Sequence, residues 1–129
     1  MKYETIILID DDHIIRYGFN RLMREFFASQ KILTFQHGGE GLDYLTGLNF
    51  ANFNTKILIL LDLNMPLIDG WSFLENFKEK LALIKDNITI YILSSTIDKN
   101  DLKKIKQNRL ISGHICKPLL LDELRELLE

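Results

Sequence analysis

Four apolar runs of this chain each end in a side chain suited to chemistry. Ile6-Ile7-Leu8-Ile9 runs into Asp10-Asp11-Asp12, and Ile57-Leu58-Ile59-Leu60-Leu61 runs into Asp62; the runs at 88–93 and 111–116 end in Ser94 and in Lys117-Pro118. Short, nearly continuous apolar runs bounded by polar residues are expected of strands buried on both faces, as in a parallel sheet. With a fifth run at 32–35 they alternate with segments of helical period, which predicts an α/β fold with helices on both faces of the sheet. Strands running parallel bring their carboxyl ends side by side, where open α/β sheets place their sites. Carboxylates, a hydroxyl and an ammonium gathered at one edge can bind a divalent cation and handle a phosphoryl group. Any one of these endings alone is weak, because Asp and Ser end strands for turn reasons. The coincidence across four runs carries the reading.

The helical segments differ in how firmly they are specified. In the first, Ile15, Phe19, Leu22, Met23 and Phe26 recur at spacings of three and four, with Asp12 placed as N-cap and Arg16, Arg21 and Arg24 largely on the other side. The second, at 38–48, turns Leu42 and Leu45 to one face, and the polar stretch 49–56 reads as a surface loop. The third, at 70–80, presents Phe73, Leu74 and Phe77. The fourth, at 99–108, offers only Leu102 and Ile105 inward, so a loosely held helix is expected there. The fifth, at 119–128, carries Leu120, Leu121, Leu124, Leu127 and Leu128, and no output domain is expected after it.

A chain of 129 residues fits one domain, 1–129, able to bury a core without disulfides. Its net charge of −2 gives no general attraction to nucleic acid or acidic membranes. The single cysteine, Cys116, lies in an apolar stretch and is expected to be a buried structural thiol in a reduced setting. With no leader-like segment and no long apolar span, the chain reads as soluble and cytoplasmic. His13, His37 and His114 have no zinc-like spacing, so they read as surface or loop histidines. Lys103, Lys104, Lys106 and Arg109 read first as a solvated face, then as a surface for an acidic partner and last as a nucleic-acid contact; Trp71 reads as a partly buried side chain at the start of the third helix, with a partner contact as the alternative.

With these residues in place, the chain resembles a response-regulator receiver domain of two-component signalling over essentially its whole length. The matching positions are Asp10-Asp11, the segment Asp62-Leu63-Asn64-Met65-Pro66-Leu67-Ile68-Asp69-Gly70, Ser94-Ser95 and Lys117-Pro118. The resemblance implies a flavodoxin-like, doubly wound five-stranded parallel sheet in order 2-1-3-4-5 with five helices. Asp62 would be the phosphorylation site, taking its phosphoryl group from a sensor histidine kinase or a histidine phosphotransfer protein. Mg²⁺ would be ligated directly by Asp11, Asp62 and the backbone carbonyl of Asn64 and through water by Asp10, an oxygen set that suits a hard ion. Lys117 and Ser94 would contact phosphoryl oxygens, and Asn64 and Thr96 would tune hydrolysis. In such domains the Lys117-Pro118 bond is typically cis, and Pro66 and Gly70 shape the acceptor loop.

His114 departs from the pattern, standing where receivers commonly carry a Tyr or Phe that moves together with the hydroxyl residue. It is expected to act with Ser94 as a switch that can also sense pH. Output would pass through the fourth helix, fifth strand and fifth helix to a downstream protein, and a homodimer through that face is left open. Such a domain performs phosphoryl chemistry on itself and is not a turnover enzyme. Two rivals stand beside it: a haloacid-dehalogenase-like phosphohydrolase with Asp10 as nucleophile and Asp12 as general acid, and a degenerate receiver that only binds.

Overall fold

The computed structural model describes residues 2–48, 54–65 and 67–129. The strands are β1 (Thr5–Ile9), β2 (Lys31–Phe35), β3 (Ile57–Asp62), β4 (Ile88–Ser94) and β5 (Ile111–Cys116). Between and after them lie α1 (His13–Phe26), α2 (Gly38–Thr46), α3 (Gly70–Ile84), α4 (Lys99–Gln107) and α5 (Leu121–Leu128). All strand pairs are parallel, in the order β2-β1-β3-β4-β5. The doubly wound five-stranded architecture is therefore as expected. Most of the 49–56 stretch, and Pro66, lie outside the described residues.

Alternate residues of the central strands feed two cores. Ile7, Ile9, Ile57, Ile59 and Leu61 pack with Phe73, Phe77 and Leu81 of α3, while Ile6, Leu8, Leu58 and Leu60 pack with Phe19 and Met23 of α1 and Leu124 and Leu128 of α5. Burial on both faces explains why β1 and β3 read as unbroken apolar runs.

Three expectations need correction. Phe26 is 41 % exposed, and the buried ring is Phe27, four residues beyond Met23; the Arg125 guanidinium of α5 lies 5.5 Å from the Phe26 ring centroid. Leu120, expected within the last helix, precedes α5 and is exposed. Cys116 is exposed rather than buried. The cause lies in β5, an edge strand. Ile111 stands opposite Ile90, but Gly113 stands opposite Tyr91, so Ser112 is an extra residue that reverses which face the later side chains occupy. Ile111 then packs in the core under α3, Ile115 in the core under α5, and His114 and Cys116 fall on the α4 side, where the helix buries only Ile105.

Candidate functional site

The carboxyl ends of the strands converge as the four runs anticipated. Asp10 follows β1 and is fully buried, Asp62 ends β3 at 2 % exposure, and Ser94 ends β4 fully buried. Lys117 follows β5 and reaches back across the sheet edge. Its ammonium lies 2.8 Å from Oδ2 of Asp10 and 3.3 Å from Oδ1 of Asp62. The backbone holds the frame: the Lys117 N–H donates to the Ser94 carbonyl at 3.0 Å, and the Leu63 N–H to the Leu93 carbonyl at 3.3 Å. The Lys117-Pro118 peptide bond is cis.

Each carboxylate is oriented by the chain that follows it. The Asp12 N–H donates to Oδ1 of Asp10 at 2.9 Å, and the Asn64 N–H to Oδ1 of Asp62 at 3.3 Å. Asp12 itself caps α1 by accepting from the Ile14 N–H at 2.9 Å, as expected. Gly70 opens α3 pressed against the loop that follows β3: a Cβ there would stand 2.7 Å from the Asp62 carbonyl oxygen and 3.0 Å from Cα of Leu63. Asp69 caps α3 through the Ser72 N–H. Leu67, fully exposed in the same loop, has a φ of 68°, the left-handed region that bulky residues rarely adopt.

The electrostatics follow from burying two acids with one base. Burial lifts the Asp62 carboxyl from 3.8 to about 6, and the Asp10 charge pushes the same way, against Lys117 and the Asn64 N–H. Burial works against the charged form of Lys117, but contact with Asp10, and then the charge of Asp62, hold its pKa above the ordinary 10.5. Oδ2 of Asp10 is buried and receives no well-directed hydrogen bond among the described residues, so its compensation is the ion pair with Lys117. Oxygens of Asp10, Asp11 and Asp62 lie within 4.8 Å of one another. Three carboxylates facing one ammonium leave an excess of negative charge. An all-oxygen donor set with an under-compensated buried atom fits a hard divalent cation such as Mg²⁺.

Other anticipated residues are placed less decisively. Asn64 and Thr96 are exposed at the mouth of the site. The Ser94 hydroxyl donates to the Thr96 carbonyl at 2.6 Å, a bond within its own loop. His114 is exposed, opposite Ile92 in the β4–β5 pairing, while Cys116 stands opposite Ser94. Arg16, expected on the side of α1 away from its apolar face, donates from Nη1 to the Asp10 carbonyl at 2.7 Å and ties α1 to the site. A cation one turn past an N-cap was the only signal for it. Among the described residues no helix is long and apolar enough to cross a membrane.

This fold with this edge defines a receiver domain of the two-component phosphorelay type, and the comparisons agree. The family described as Response regulator receiver domain matches residues 6–129, and the chain belongs to it. The chain is 29% identical to Sporulation initiation phosphotransferase F of Bacillus subtilis (strain 168), over 98% of this chain and 91% of that protein. It superposes on a two component response regulator from Cytophaga hutchinsonii with a TM-score of 0.85 at 28% identity, covering 98% of this chain and 95% of that one. A response regulator receiver protein from Dyadobacter fermentans DSM 18053 gives 0.83 at 27% identity, covering 96% and 94%. Receiver domains are in general signalling modules rather than turnover enzymes.

Proposed function

We propose that residues 1–129 are one receiver domain in which Asp62 accepts a phosphoryl group from a phosphohistidine of a sensor histidine kinase or histidine phosphotransfer protein. A carboxylate oxygen of Asp62 would form the new O–P bond as the P–N bond to the donor imidazole breaks, the imidazole keeping the bonding electrons. The observation that carries this reading is the Lys117 ammonium between Asp10 and Asp62, placed to take charge from an acyl phosphate on Asp62.

Asp10, Asp11 and Asp62 would hold Mg²⁺, with the Asn64 carbonyl as a further oxygen. The ion supplies charge neutralisation for the transferring group. Asp12, the general acid of the hydrolase rival, is occupied in capping α1, which favours the receiver. The Ser94 hydroxyl would leave the Thr96 carbonyl and donate to a phosphoryl oxygen. Ser94 and His114 share one face of the sheet by register, which supports His114 as the residue that follows the hydroxyl. Asn64 and Thr96, at the mouth, would set how an attacking water is ordered. We assign the domain to the cytoplasm, where histidine kinases present their phosphoryl groups.

The donor would dock on the sheet edge that carries the site. Three exposed apolar side chains stand on the elements around it: Ile14 at the start of α1, Leu67 in the loop after β3 and Leu120 in the loop before α5. Output would use the α4, β5 and α5 face. Incubation with Mg²⁺ and acetyl phosphate, read by intact-protein mass, tests the reading: one labile phosphate adduct, weakened by EDTA and by Asp10→Asn, supports it. Absence of any adduct with the native chain would overturn it.

A further inference from the structure

We propose that the groove between α3 and α4 is a docking site for an acidic segment of a partner protein. The groove measures about 650 Å³ and is open along its length. Trp71, Leu74 and Lys78 line it from one stripe of α3, Lys104 lines it from α4, and Arg109 lines it just past that helix. Its floor is partly apolar: Trp71 is partly buried, and the Lys104 ammonium lies 5.2 Å from the Trp71 ring centroid.

Charge makes this face distinct. Among the described residues both ion pairs are made by Lys117, so Lys78, Lys104 and Arg109 have no carboxylate within 4.0 Å. Among the described residues Glu75 is the only acid in the lining. The excess is local, because the whole chain carries −2. Favourable placement at the C-terminal end of α4 accounts for Lys104 and Lys106. It does not account for Lys78 on α3, or for Arg109, which also lines a smaller adjoining cavity beside Lys85 and Asp86.

Chemistry and shape together select the occupant. Small ligands are typically enclosed over most of their surface, whereas this furrow lies open between two helices with cations on its rim. An aromatic floor flanked by Arg and Lys suits an extended or helical segment bearing Asp or Glu beside one large apolar side chain. The groove lies on the α3 flank of α4, apart from the α4, β5 and α5 face. Docking there does not depend on phosphoryl chemistry at Asp62.

The test uses the full chain and its single tryptophan, Trp71, as reporter. An array of short tryptophan-free peptides, each with several Asp or Glu and one Leu or Phe, is titrated without Mg²⁺ or phosphodonor, beside charge-reversed Lys counterparts and ATP. Members of the acidic set should change Trp71 emission, and their affinity should fall on the order of tenfold or more in the double variant Lys78→Glu, Arg109→Glu. The double variant Arg21→Glu, Arg24→Glu on α1 makes the same change in net charge and should retain nearly all of the affinity. Equal losses in the two variants, or no binding by any acidic peptide, would overturn the proposal. Saturable binding of ATP in place of the peptides would overturn it in favour of a small-molecule site.

Discussion

The Lys117 ammonium stands closer to Asp10, at 2.8 Å, than to Asp62, at 3.3 Å. One cation thus serves two buried acids, and burial carries the Asp62 pKa up to about 6. The site is built at a cost in stability, which makes its chemistry measurable through folding.

Asp62→Asn should stabilise the metal-free protein at pH 8. A carboxyl whose folded pKa is raised binds its proton more tightly in the folded state, so ionised Asp62 is destabilising above about pH 6. The penalty fades as pH falls toward the unfolded value near 3.8, where both states are protonated. Urea unfolding in EDTA should give Asp62→Asn an advantage of roughly 1–3 kcal/mol at pH 8 that shrinks by pH 4. A variant less stable than the native chain at pH 8 would contradict this.

Lys117→Ala should act in the opposite sense. It leaves two buried acids without their cation, a loss of roughly 2–4 kcal/mol in EDTA at pH 8. The loss should be smaller at pH 5, where Asp62 is largely protonated, and Mg²⁺ should restore part of it. A loss that depends on neither pH nor Mg²⁺ would show that Lys117 acts through packing alone.

Mg²⁺ should raise the thermal midpoint of the native chain, by about 1.4 kcal/mol of added stability at tenfold over Kd. Asp11→Asn should sharply reduce that gain with little change in the metal-free midpoint, since Asp11 is exposed. Calorimetry of the two proteins side by side measures it, and an unchanged gain in the variant would remove Asp11 from the cation site.

Two glycines should respond to alanine with opposite signs. At Gly70 the new methyl meets the Asp62 carbonyl oxygen at 2.7 Å, so Gly70→Ala should cost about 1–3 kcal/mol and slow adduct formation. At Gly18, inside α1, a Cβ meets nothing within 4 Å, and Gly18→Ala should stabilise by about 0.5–1 kcal/mol. Denaturant midpoints of the two variants decide both signs.

The sheet was legible because strands buried on both faces leave unbroken apolar runs, and their polar endings marked the edge where Asp10, Asp62, Ser94 and Lys117 gather. What escaped was decided by geometry that local pattern does not carry. Spacing alone could not choose between Phe26 and Phe27 at the end of α1, because either lies three or four residues from Met23. The exposure of Cys116 depends on an extra residue at Ser112, visible only once β5 is paired with β4. The bond from Arg16 to the Asp10 carbonyl needs α1 docked against the sheet.

The most direct measurement maps the phosphorylated residue. The chain is incubated with Mg²⁺ and acetyl phosphate, reduced with borohydride, which converts an acyl phosphate on aspartate to homoserine, and sequenced by tandem mass spectrometry. Homoserine at position 62, absent without donor, is the predicted result. Homoserine at position 10 instead, with Asp62 intact, would contradict the account and return the chemistry to the first strand.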